Sequence, residues 1–85
     1  MVSFTHKISD RNGLHARNAM AFSRMAADYE CRIQLGTEAK MADAKNVMAL
    51  MNLGARSGAQ LTCVLEGSDE ESAAAALHAL AAEIL

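Results

Sequence analysis

The hydropathy pattern of this chain predicts an α+β fold, a four-stranded antiparallel sheet with three helices on one face. Three observations lead there. Apolar and polar residues alternate in short segments that begin near residues 2, 31 and 61, the period of a half-buried strand. Between and after them, apolar residues recur at helical spacing. The segments run strand, helix, strand, strand, helix, strand, helix, with no repeat or linker between them. At 85 residues, 52% hydrophobic, the chain is expected to form one domain over residues 1–85, since a chain this short buries only about 60% of the surface its unfolded form exposes.

The first strand is Val2 to Ile8, where Val2, Phe4 and Ile8 alternate with Ser3, Thr5 and Lys7. Asp10, Arg11, Asn12 and Gly13 form a turn-rich cluster, after which Ala16 to Ala27 places Ala19, Phe22 and Ala26 on one face of the first helix. Cys31, Ile33 and Leu35 mark the second strand, and Gly36-Thr37-Glu38 turns the chain into a third around Lys40 to Ala42. Asn46 can cap a short helix carrying Val47, Met48, Leu50 and Met51, which Gly54 ends. Leu61, Cys63 and Leu65 mark the fourth strand, with Val64 breaking the polarity of its other face. Ser68 and Glu71 have capping-box spacing, and Ala73, Leu77, Leu80, Ala81 and Ile84 stripe the last helix.

Composition excludes several function classes. A net charge of −2 argues against duplex nucleic acid as a partner, because binding the phosphate backbone requires a basic field. Charge is unevenly spread: Lys7, Arg11, Arg17, Arg24 and Arg32 lie in the first 32 residues, whereas Glu66 to Leu85 carries acids and no Lys or Arg. An anion site therefore belongs near the N-terminal third. Cys31 and Cys63 sit in alternating apolar runs and lack metal-ligand spacing, so they read as buried free thiols with no metal site. No apolar run reaches spanning length, and the expected home is a reducing cytoplasm with no membrane insertion.

The chemistry concentrates at Gly13-Leu14-His15-Ala16-Arg17, where the turn hands over to the first helix. The first amides of a helix lack internal partners, and the macrodipole adds about half a positive charge there. The N–H groups of Ala16, Arg17 and Asn18 can then hold a phosphoryl group carried on the His15 imidazole. Arg17 adds a guanidinium able to grip two phosphate oxygens. No water-activating base accompanies them, which favours a carrier over a hydrolase. Arg17, Met20 and Arg24 share the helix face opposite Ala19, Phe22 and Ala26, and Met48 and Met51 can extend it. That stripe fits a docking surface for an acidic partner with an apolar centre; it also fits a solvated face with Met48 and Met51 in the core. His6 continues a strand pattern and His78 flanks a helix stripe, so neither is a candidate site.

These residues make the chain similar to HPr, the histidine-containing phosphocarrier of the bacterial phosphoenolpyruvate-dependent sugar phosphotransferase system. The resemblance rests on Gly13-Leu14-His15-Ala16-Arg17 with Ala19, on Asn46 through Gly54, and on Gly58-Ala59-Gln60-Leu61-Thr62 leading to Gly67-Ser68-Asp69-Glu70. It implies an open-faced βαββαβα sandwich that needs no cofactor. It also implies phosphorylation of His15 at Nδ1 by Enzyme I, delivery to sugar-specific A domains, and a phosphate role for Arg17. Met20, Arg24, Val47, Met48 and Met51 fall where such proteins meet donor and acceptor, and a monomer is expected. Two residues depart from the family pattern. Asn18 replaces the usual Pro, so the first turn loses a rigid φ and a looser loop is expected. Asn46 replaces the regulatory serine, so it can cap a helix but cannot accept phosphate.

Overall fold

The computed structural model describes residues 1–85. Seven elements follow the expected order: β1 (Val2–Lys7), α1 (Ala16–Ala26), β2 (Arg32–Gly36), β3 (Met41–Asp43), α2 (Val47–Met51), β4 (Gln60–Glu66) and α3 (Glu70–Ile84). The strands form one sheet in the order β1-β4-β2-β3, antiparallel at every pairing. β4 is central because both of its neighbours align their apolar residues with its own. Cys63 faces Phe4 of β1 on one side and Leu35 of β2 on the other.

The period-two pattern now has a physical meaning. Leu61, Cys63, Leu65, Ile33 and Leu35 are buried on one face, while Gln34, Thr62 and Val64 stay partly exposed on the other. The three helices cover the buried face through Ala19, Phe22 and Ala26 of α1, Leu50 of α2, and Ala73, Leu77 and Ala81 of α3. Phe22 is the largest fully buried side chain. Alanine on the facing sides of α1 and α3, which pack together, lets the two helices approach closely. Both cysteines are buried and free. Burial pushes the Cys63 thiol up to about 12, and it raises the Cys31 thiol as well.

Two local expectations are corrected. The third strand begins at Met41 and not at Lys40, because Lys40 is spent on the turn: its C=O accepts from the Thr37 N–H at 2.9 Å. The Ser68–Glu71 capping box does not form; α3 starts at Glu70 with Asp69 as N-cap. Tertiary structure outbids the local motif here. The Asp69 carboxylate accepts from the backbone N–H groups of Glu30 at 2.8 Å and Cys31 at 2.9 Å, so it joins the entry of β2 to the start of α3. Those two amides would otherwise lack partners in a half-buried loop.

Candidate functional site

The site begins with a glycine. Gly13 has φ +69°, and a Cβ there would lie 2.5 Å from the Ala55 carbonyl oxygen, so both conformation and space demand glycine. Its N–H closes a turn onto the Asp10 C=O at 2.9 Å, and the Asn12 N–H bonds the Asp10 carboxylate at 2.9 Å. The Leu14 N–H then donates to the Ala55 C=O at 3.0 Å, and the Leu14 side chain enters the core. At the other end of the loop, the N–H groups of Ser9 and Asp10 both donate to the Leu85 C=O, at 2.6 and 3.0 Å. The loop carrying His15 is thus moored to the α2–β4 connection and to the end of α3.

His15 is the N-cap of α1, in an extended conformation at φ −136° and ψ −179°. The first bond into the helix is the Ala19 N–H donating to the His15 C=O at 2.8 Å. The amides of Ala16, Arg17 and Asn18 therefore have no intrahelical acceptor, as expected for an anion-receptive helix start. The His15 ring sits over this turn in a capping-box arrangement without completing a cap hydrogen bond itself. Its Nε2 faces Asp10 Oδ2 at 3.4 Å, and both side chains are partly exposed. Arg17 lies exposed in the first turn and takes part in neither ion pair of the molecule.

Asn18 behaves differently from the expectation of a looser turn. It is 3% exposed, its Oδ1 accepts from the His15 N–H at 2.8 Å, and its Nδ2 donates to the Gly13 C=O at 2.9 Å. One buried amide side chain bridges both sides of the loop. It replaces the conformational rigidity of a proline ring with two hydrogen bonds.

Both α1 and α2 expose methionines. Met20 on α1 and Met48 and Met51 on α2 are exposed, with Met48 the most open at 61%, and α1 packs directly against α2. Arg24 is exposed on the same helix as Met20, while Val47 is half-buried against the core. Met48 and Met51 are therefore not core residues. Asn46 caps α2, its Oδ1 accepting from the Ala49 N–H at 3.1 Å. Sequence reasoning missed Asp10 as a neighbour of His15. The signal was present, since a tight turn between them folds the chain back, but turn chemistry alone accounted for Asp10. The mooring to Leu85 had no sequence signal.

Comparison with known proteins gives the family. The family profile described as PTS HPr component phosphorylation site matches residues 2–83, from β1 to the last turn of α3. The chain belongs to the HPr family. The phosphocarrier protein HPr of Lysinibacillus sphaericus is 35% identical over 77 residues, 91% of this chain and 88% of that protein. The HPr of Thermoanaerobacter tengcongensis is similar in structure, with a TM-score of 0.91 and 35% identity, covering 98% of this chain and 93% of that one. Crh of Bacillus subtilis, described as a catabolite repression protein forming a domain-swapped dimer, covers 100% of this chain and 99% of its own at 31% identity and TM-score 0.77. The four-stranded sheet with three helices is the HPr fold, and HPr proteins are phosphocarriers of the phosphotransferase system and not catalysts. No helix is long and apolar enough to cross a membrane.

Proposed function

We propose that this HPr chain accepts a phosphoryl group on His15 Nδ1 from Enzyme I, charged by phosphoenolpyruvate, and passes it to sugar-specific A domains. The observation that carries the reading is the half-exposed His15 ring at the mouth of α1, beside three amides without intrahelical acceptors. With Nε2 turned to Asp10, Nδ1 is the nitrogen left for the phosphoryl group. Transfer from a phosphorylated donor to a free imidazole demands positioning and charge stabilisation more than bond-making groups. The Ala16, Arg17 and Asn18 amides and the Arg17 guanidinium supply positive partners for the phosphate oxygens. Met20, Arg24, Val47, Met48 and Met51 form the docking face, its adaptable thioethers suiting a surface that must meet a donor and an acceptor in turn. The carrier acts as a cytoplasmic monomer, since one exposed site serves both partners.

Incubation with Enzyme I and phosphoenolpyruvate is expected to add one acid-labile phosphoryl group, absent in His15→Ala. An unchanged mass of the native chain would refute the reading. A second reading, a regulatory paralogue whose phosphorylation state is sensed by a partner, draws support from the similarity to Crh. Normal phosphorylation without restored sugar uptake in a carrier-deficient strain would favour it. In either role Asn46 rules out control by phosphorylation at that position.

A further inference from the structure

The geometry points to Asp10 as a positioning residue for His15: its carboxylate holds the Nε2 proton and so keeps Nδ1 as the free nucleophile. This deepens the carrier reading and rests on it. Asp10 Oδ2 lies 3.4 Å from His15 Nε2. The Asn12 amide, and next the His15 ring, hold the Asp10 carboxyl below its ordinary range, so it is ionised at neutral pH. An ionised carboxylate only accepts hydrogen bonds, so the nitrogen facing it carries the proton. The carboxylate is also fixed in place. Its Oδ1 accepts from the Asn12 N–H, its backbone C=O accepts from the Gly13 N–H, and its backbone N–H donates to the Leu85 C=O.

The consequence for transfer follows from where the proton stays. When Nδ1 attacks, an Nδ1–P bond forms and the bond from phosphorus to the donor nitrogen breaks, its electron pair remaining on the donor. The Nε2 proton is kept, and the ring becomes a phosphorylated imidazolium whose positive charge faces Asp10. On delivery the Nδ1–P bond breaks, its electron pair returns to Nδ1, and a neutral ring leaves with Nε2 still protonated. Loss of the Nε2 proton in between would leave a neutral phosphorylated ring, a poorer leaving group. Asp10 therefore keeps the carried phosphoryl group transferable.

The test uses Asp10→Asn and Asp10→Ala in the full chain. Asparagine can still accept from the Asn12 N–H, so it preserves the turn while removing the charge. Nitrogen-15 NMR of the unphosphorylated neutral ring is expected to show the proton on Nε2 in the native chain. Asp10→Asn is expected to lower kcat for phosphorylation by Enzyme I about three-fold at unchanged KM, and to lengthen the lifetime of phospho-His15 by a similar factor, the scale of a partly exposed charge pair. A native ring protonated on Nδ1 overturns the proposal whatever Enzyme I does. So does an Asp10→Asn protein that matches the native one in kcat and lifetime while Asp10→Ala alone is slow, because Asp10 would then only anchor the turn. Failure of Enzyme I to phosphorylate the native chain falls instead on the carrier reading, and the ring spectrum still decides the role of Asp10.

Discussion

Asn18 shows how a single side chain can substitute for a backbone constraint. A proline at this position would fix φ and leave the Gly13 C=O and His15 N–H to find other partners. The buried amide instead satisfies both. Replacing it with alanine would strand two backbone groups in a site with little water. Asn18→Ala is therefore expected to cost about 1–3 kcal/mol of stability, measured by denaturant unfolding, and to slow phosphorylation by Enzyme I because the N-cap conformation of His15 is no longer held. A variant of native stability whose His15 amide exchanges with solvent at the native rate would show that the bridge is dispensable.

Helix starts are decided by what else needs the capping group. Asn46 serves its own helix and caps α2. Asp69 does not, because the entry to β2 brings two amides within reach of its carboxylate. The hydrogen bond from the Glu30 backbone N–H, helped by those from Cys31, holds the Asp69 carboxyl below its ordinary value. A carboxyl lowered in the folded state stabilises fully above the unfolded value, near 3.8, and that contribution is lost as pH falls through the folded value. Thermal unfolding of Asp69→Asn is accordingly expected to vary less with acid pH than that of the native protein, with its deficit largest at neutral pH and vanishing in acid. The helix pair α1 and α2 carries the other element-scale expectation. Met48 is 61% exposed and contributes little to the core, so Met48→Ala is expected to leave the unfolding midpoint in place and to raise KM for Enzyme I several-fold. An unchanged KM would remove α2 from the docking face.

On the scale of the whole molecule, one sheet face does most of the holding. Phe22 sits fully buried among residues of the common core, whereas Tyr29, the one larger aromatic in a chain without tryptophan, is only partly buried against it. Truncation to alanine typically costs about 3–5 kcal/mol, against a total of about 5–15 kcal/mol for a small domain. Phe22→Ala is expected to be largely unfolded near body temperature, and circular dichroism melting would check it. The same core fixes the site at a distance: α1 presents His15 only because its opposite face is anchored on the sheet. The loop before it is tied to Ala55 and Leu85, residues far away in sequence.

Much of this protein follows from its amino-acid order alone. Strand and helix identity came from periodicity, since the side chains that must leave water repeat every two residues in one case and every three or four in the other. The reading of His15 and Arg17 came from their position at a turn-to-helix junction, where unpaired amides are a property of any helix. What only the tertiary structure decided are the contacts between segments distant along the chain. The Asp69 carboxylate went to the loop before β2 and left the start of α3 without a side-chain cap, Asn18 turned inward as a bridge, and Asp10 met the ring of His15. Each is a polar group choosing among several available partners, and local sequence cannot rank those partners until the packed core has brought them within about 3 Å of one another.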